Sequence, residues 1–563
     1  MIDSLPPGWL LIFGGLLVPL LRGRVRSAYM LLLPALGLLQ LLVISHGNLL
    51  QVSVFDYSLT PVRVDRLSLV FGYIFHIAAF IGMIFALRVK DTVQHVAAFA
   101  YAGSAIGAVF AGDLITLFVY WELAAISSVF LIWARRSERS YRAGMRYLIF
   151  QITSGVLLLA GALAHVHETG SLAFDYLGLN GLGGSLIFIA FGIKCAFPLL
   201  HNWLEDAYPE ATVTGTVFLS AFTTKMAVYA LARGYPGTEL LVWIGAAMTA
   251  FPIFFAVIVN DLRRVLTYSM NNQLGFMVVG VGIGTNLALN GAAAHAFADI
   301  LFKGVLFMSM GAVLLRTGTI KGSELGGLYK SMPWTTGFCI VGAASISAFP
   351  LFSGFATKSL IISATAENHY TFVYFVLLFA SAGVFHHSGI KIPYFAFFAH
   401  DSGIRCKEAP RNMLIAMGLA AALCIGIGVF PAMLYGVLPF PVDYEPYTAT
   451  HVISQVQLLF WSAVAFAWLN WVGLYPPELR SVNLDSDWIY RRLVPSTLGP
   501  LVRGGARLWT GVLEGAGRRI TATLQTVHRY HGPEGILERT WPTGSMALWV
   551  AVLLAMLLLL YLS

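Results

Sequence analysis

Apolar residues in this chain fall into runs of about twenty, cut by short polar segments, from residue 8 to residue 475 and again over 545–562. A helix crossing a hydrocarbon core of ~30 Å needs ~20 mostly apolar residues. Each run therefore predicts one crossing helix. Sixteen are read: 8–21, 28–45, 66–87, 93–111, 114–134, 143–165, 183–204, 211–232, 239–260, 265–284, 290–315, 334–364, 371–398, 412–436, 455–475 and 545–562. The first, second and last are the shortest. The expected fold class is an all-α polytopic membrane protein. Composition agrees: 58% of residues are hydrophobic and 11% charged, against roughly a quarter charged in soluble domains.

The net charge of +8 is not read as a nucleic-acid signal, because its placement explains it. Of 35 Lys and Arg, twenty-six fall in loops on one side of the predicted spans, nine of them between 476 and 544. Only Arg63, Arg66 and Arg233 fall on the other side. Cytoplasmic loops are rich in Lys and Arg. The expected arrangement is therefore a bacterial-type inner (plasma) membrane protein with its basic loops and residues 476–544 in the cytoplasm and both termini outside. One cytoplasmic turn, Glu205–Glu210, has no basic residue, which the rule does not explain. The N-terminus lacks a basic region ahead of its first span, so no cleavable signal is expected. Cys195, Cys339, Cys406 and Cys424 are scattered with no CxxC pair. Neither a metal or iron–sulfur site nor a disulfide framework is expected, and no cofactor.

Six basic residues remain, all inside apolar spans: Arg146, Lys194, Lys225, Lys303, Lys358 and Lys391. A lone charge at bilayer depth costs at least ~2.5 kcal/mol. Together with Glu122 and Asp299, the six suggest a buried titratable path. An internal repeat frames it. Ala196-Phe197-Pro198-Leu199 recurs as Ala348-Phe349-Pro350-Leu351, 152 positions on, and the same offset aligns Phe150-Gln151 with Phe302-Lys303. The offset holds about five spans, and an odd number inverts the second copy. Inverted repeats with broken helices mark many ion transporters, and each proline here would break its helix.

Glu122 is central in its apolar helix, beside Trp121, and Lys194 lies at a suitable depth to partner it. His201 follows Lys194 by two turns, ~10.5 Å along an ideal helix. A desolvated lysine exchanges its proton readily, and histidine does so unaided. A core histidine with satisfied hydrogen bonds is the alternative for His201. Lys225 sits mid-span, with Thr223 and Thr224 available to solvate it. His295, Asp299 and Lys303 are spaced i, i+4, i+8 on one helix face. They could be a proton wire, or an Asp299–Lys303 pair that neutralises itself. Lys358 follows the second break. Lys391, after His386 and His387, is nearer the cytoplasmic end and could equally snorkel.

These strings resemble the antiporter-like proton-conducting subunits shared by respiratory complex I, membrane-bound hydrogenases and Mrp-type sodium/proton antiporters. The carriers are YWEL with Glu122, GIKCAFPLLHNWLEDA with Lys194, the Lys225 helix, RRVLTYSMNNQLGF from Arg263, HAFADILFK with Lys303, and GFATK with Lys358. The narrower likeness, through EATVTGTVFLSAFTTK and LDSDWIYRR, is to the D-type subunit of Mrp antiporters in a long form. The resemblance implies two inverted five-helix repeats, with Glu122 and Lys194 as a switch in a first half-channel. It implies Lys225 and the His295–Lys303 file as the connecting segment and Lys358 as the end of the second half-channel. Asp299 stands where a histidine is common in this family, which alters the charge of the central wire.

The domain organisation expected is N-terminal helices over 1–92, a proton-conducting core over 93–398 (repeats 93–232 and 239–398), and C-terminal helices over 399–475. An amphipathic segment over 476–544 and a final span over 545–563 follow. Within 498–527, apolar residues alternate with arginines on a helical spacing that suits a membrane surface or a partner. The expected function is the proton-translocating subunit of a multi-subunit Na⁺/H⁺ antiporter. Its expected path is Glu122, Lys194, His201, Lys225, His295, Asp299, Lys303 and Lys358, with Lys391 secondary. Other membrane subunits, the lipid bilayer, protons and Na⁺ are the partners expected, and no nucleic acid. Two alternatives are a proton-pumping subunit of a quinone reductase or hydrogenase and a membrane subunit of an inorganic-carbon uptake complex. The chain has no flavin, iron–sulfur or quinone motif of its own.

Overall fold

The computed structural model describes residues 5–54, 57–476, 478–479, 484–532, 535 and 542–562. Arg480 and Arg539 lie outside them. The chain divides into two units, Met1–Asn483 and Leu484–Ser563. The first opens with α1 (Trp9–Leu16) and α2 (Gly23–Val43), then a hairpin of β1 (Gly47–Val54) and β2 (Tyr57–Val64). There follow α3 (Arg66–Ala86), α4 (Thr92–Phe110), α5 (Leu114–Trp133), α6 (Glu138–Thr169), α7 (Gly181–Lys194), α8 (Asn202–Ala207), α9 (Gly215–Ala221) and α10 (Thr223–Gly234). The second half runs through α11 (Glu239–Ile258), α12 (Leu262–Ile283), α13 (Asn286–Thr317), α14 (Pro333–Ile346), α15 (Ser353–Glu367) and α16 (Thr371–Val384). It closes with α17 (Arg411–Val429), α18 (Ala432–Tyr435) and α19 (Ala449–Val472). Helix starts are set by side-chain caps. Asp65, Asp91, Asp113, Ser137, Asp261, Thr285 and Thr448 each accept a first-turn backbone N–H.

The molecule is a polytopic membrane protein, and among the described residues its one sheet is the hairpin, which the apolar pattern did not predict. Among the described residues, twelve helices are long and apolar enough to cross a membrane. The count of sixteen is not reproduced by that measure, for physical reasons that differ by span. The first predicted span yields only a short apolar helix, Trp9–Leu20. The seventh and twelfth are broken into α7 plus α8 and α14 plus α15. The tenth, α12, carries Asn271, Asn272 and Gln273 at its centre.

The repeat is visible in the backbone. At both Ala-Phe-Pro-Leu strings the alanine and leucine adopt left-handed φ: 62° and 69° at Ala196 and Leu199, 56° and 74° at Ala348 and Leu351. A 14-residue helix precedes each break. Upstream, α6 and α13 are each 32 residues long and end on a left-handed glycine, Gly170 and Gly318. Asp113 bridges Ala173 as Asp261 bridges Lys321, 148 positions on. The long helices are thus offset by 148 and the broken ones by 152, because the connection after α13 is four residues longer. This corrects the Gln151–Lys303 match: Gln151 corresponds to Asp299, and Gly155 to Lys303.

The second unit contains α20 (Val494–His531), 38 residues with Pro500 inside, and α21 (Thr543–Leu562). At 1.5 Å per residue α20 is roughly 57 Å long. It carries exposed Leu508, Trp509 and Ile520 among arginines, and its glycines do not interrupt it.

Candidate functional site

Lys194 is the last residue of α7, where the helix breaks, and its side chain is fully buried. Its ammonium donates to the Trp121 carbonyl at 2.6 Å and stands 4.5 Å from the centre of that indole. The indole N–H donates to Ser154 Oγ at 2.9 Å, and Ser154 donates to the Ala190 carbonyl at 2.7 Å. The switch expected between Glu122 and Lys194 is therefore not a direct ion pair among the described residues. Lys194 is held through the backbone of the residue next to Glu122. Glu122 Oε1 is buried with no hydrogen-bond partner and lies against Gly155 of α6, where a methyl group would overlap it. Gly155→Ala should therefore displace the Glu122 carboxylate and cut ion exchange at least tenfold with the chain still inserted. Exchange in membrane vesicles at matched protein level measures this.

One fully buried pairing of opposite charges joins two helices. Lys225 Nζ of α10 lies 2.6 Å from Asp299 Oδ2 of α13, and both side chains are fully buried. Lys225 also donates to the Ser220 carbonyl at 3.1 Å, which the break at Phe222 between α9 and α10 leaves free. The alternative reading, a self-neutralising Asp299–Lys303 ion pair, is not seen among the described residues. Lys303 points instead to α12, donating to the Leu266 carbonyl at 3.2 Å. The two threonines do not solvate Lys225 either. Thr223 bonds the Tyr101 hydroxyl at 2.6 Å, and Thr224 meets Met270 Sδ at 3.9 Å.

His295 is buried between α12 and α15. Its Nε2 lies 3.1 Å from Gln273 Oε1 and its Nδ1 3.1 Å from Thr357 Oγ1. Gln273 donates to Asn272 Oδ1 at 2.6 Å. Lys358, next to Thr357, donates to the Ile346 carbonyl at 3.1 Å and stands 4.9 Å from the centre of the Phe276 ring. Ile346 ends α14, so this lysine satisfies a carbonyl released by the second break, as broken membrane helices require. The Phe276 ring also faces His295, 6.1 Å between centres. Lys358, Phe276, His295, Thr357 and Gln273 thus form one cluster.

His201 stands just past the first break. The chain from Cys195 to Leu200 leaves the helix, so the two-turn spacing from Lys194 does not hold. Its ring packs on Phe251, 4.6 Å between centres. Arg146 Nε donates to Asp206 at 2.6 Å. The unexplained acidic turn is neutralised from neighbouring segments, since Arg135 and Arg139 reach Glu210 at 3.3 and 2.7 Å. The buried Arg263 also donates to the Ala211 and Thr212 carbonyls at 3.2 and 3.3 Å. Lys391 does not snorkel. Its side chain is fully buried and pairs with Glu478 at 2.8 Å. Gln273, Thr357 and Glu478 are not among the residues the sequence singles out. Gln273 lies in the RRVLTYSMNNQLGF string, whereas Glu478 lies outside the spans, between the last two, and carries no local signal.

The family model described as NADH:quinone oxidoreductase/Mrp antiporter, TM, matches residues 111–385, which enclose Glu122, Lys194, Lys225, Asp299, Lys303 and Lys358. That segment, just under half of the chain, carries this family's transmembrane region. It is 29% identical over 357 residues to Hydrogenase-4 component B of Escherichia coli, covering 56% of this chain and 53% of that protein. It is also 29% identical over 315 residues to the D-type subunit of the Na(+)/H(+) antiporter of Alkalihalophilus pseudofirmus, covering 52% of this chain and 64% of the relative. The chain thus spans about half to two thirds of the length of these curated relatives. Its fold is like that of a chain in the archaeal membrane-bound sulfane sulfur reductase, a respiratory membrane complex. The TM-score there is 0.71 at 22% identity, covering 98% of this chain and 99% of that one. Lys391 and Glu478 lie outside the matched segment.

Proposed function

We propose that this chain is the proton-translocating subunit of a multi-subunit monovalent cation (Na⁺)/H⁺ antiporter. The observation that carries the reading is the set of four fully buried lysines between two broken helices, Lys194, Lys225, Lys303 and Lys358. Each ammonium rests on an oxygen. Groups so placed can lose and regain protons in a medium that excludes bulk water, and the charge on one biases its neighbour. Glu122 tunes Lys194, Asp299 tunes Lys225, and His295 bridges toward Lys358. The likeness to a D-type antiporter subunit supports the cation-exchange form. Other membrane subunits are its partners, and the basic loops, with the neutralised turn at Glu205–Glu210, face the cytoplasm. The likeness to a hydrogenase component favours a second reading, in which the same chain pumps protons for a redox complex.

Everted vesicles carrying the full complex, energised and monitored by a pH-sensitive dye, separate the two. Recovery of fluorescence on adding NaCl or KCl is expected. A pH gradient that ignores both cations but is built by a redox substrate would reverse the order.

A further inference from the structure

Beyond α16 the chain continues as two π-helical stretches, Phe385–Lys391 and Tyr394–Phe398. Such wide turns are rare and concentrate at functional sites. Here they order a set of polar groups that the path above does not use. Ser388 Oγ donates to Ser269 Oγ at 2.8 Å, and His387 Nδ1 lies 2.9 Å from Ser388 Oγ. All three side chains are buried, and His387 Nε2 has no hydrogen-bond partner. Ser269 is three residues along α12 from Leu266, whose carbonyl holds Lys303, so the two share one helix face. Lys391 lies four residues beyond His387. Its ammonium donates to the Val257 and Val259 carbonyls at 2.6 and 2.8 Å, at the end of α11, and pairs with Glu478.

Glu478 follows α19. The residue is half-buried, and its side chain is turned inward, 5% exposed, with both carboxylate oxygens buried. Burial pushes this carboxyl up from the ordinary carboxylate range, against the pull of Lys391. The groups beside it are Lys391, Tyr475, and Gly322 and Asn260 at the foot of α12 and α13. His386 is one π turn back from Lys391, edge-on to Tyr475 at 5.4 Å. Lys321 is occupied by Glu324 at 3.4 Å.

We infer that Ser269, Ser388, His387, Lys391 and Glu478 form a proton branch from Lys303 to the basic-loop face, and that Glu478 is the group exchanging protons with the solution there. The inference rests on the proton-translocating reading above. The Lys391 ammonium passes its proton to ionised Glu478, leaving an amine and a neutral acid. The acid loses that proton to water, and the amine takes the next one from the protonated His387 ring. The reverse steps run inward.

The test uses the complete complex in everted vesicles, at matched protein level. Glu478→Gln should lower exchange at least tenfold, and Glu478→Asp should keep most of it. The Lys391→Gln/Glu478→Gln double variant decides between carriage and simple neutralisation. It has no buried charge to compensate, so regained exchange would show that Glu478 only neutralises Lys391 and would overturn the inference, whereas continued loss supports it. Wild-type exchange in Glu478→Gln would also overturn it. Should Glu478→Gln fail to accumulate, Ser388→Ala interrupts the line with a smaller change. A tenfold loss is expected there, and undiminished exchange overturns the branch. Glu122→Gln, run alongside, isolates the parent reading. Loss in Glu122→Gln with none in Glu478→Gln removes only the branch, and no loss in either removes both.

Discussion

Replacing Glu122 by Gln should lower cation-driven proton movement roughly 10²-fold or more, the scale of removing a positioned proton-transfer group, while the complex still assembles. Gln keeps the volume that Gly155 accommodates and removes only the charge beside the Trp121 carbonyl that holds Lys194. Lys194→Ala should do the same to exchange, but it also deserts that carbonyl and leaves a void, so assembly should suffer more. Dye recovery in everted vesicles, with the protein quantified by immunoblot, reads both. Wild-type exchange in Glu122→Gln would sink the proton-path assignment.

Asp299→Asn should have the second large effect, and it should fall on stability as well as transport. It leaves the Lys225 ammonium fully buried with no counter-charge. Breaking a buried pair by removing one partner costs about 3–5 kcal/mol, a large part of a domain's stability. Less protein should accumulate, and what remains should melt earlier in detergent. Replacing both partners by apolar residues, Lys225→Met with Asp299→Leu, should recover much of that stability, because a buried pair is often exchanged for hydrophobes at little loss. Exchange should stay lost. If the double variant transports normally, the pair is a tether and not part of the path.

The contrast between Asp299 and Lys391 shows where sequence reasoning stops. In sequence, Asp299 has a lysine four residues on, and the helical rule offers that lysine as its partner. Packing overrules it, because Lys225 projects from a break in another helix straight at Asp299, while Lys303 turns to the Leu266 carbonyl of α12. Lys391 reads equally well as a snorkelling side chain because its partner, Glu478, sits past the end of a later span. His201 shows the opposite error. A two-turn spacing from Lys194 holds only along a continuous helix, and the Ala-Phe-Pro-Leu break has already ended it.

By itself the sequence determined most of the spans, the two breaks, the repeat and the five buried lysines. Each is a local property: hydropathy over twenty residues, a proline within a helix, a short string recurring at one offset, or a charge too deep to reach water. Only the tertiary structure decided which charge meets which oxygen. At bilayer depth each ammonium takes the nearest available oxygen, and what is nearest is set by how broken helices pack against their neighbours. That geometry joins residues such as Lys225 and Asp299, or Lys391 and Glu478, which no periodicity along the chain connects.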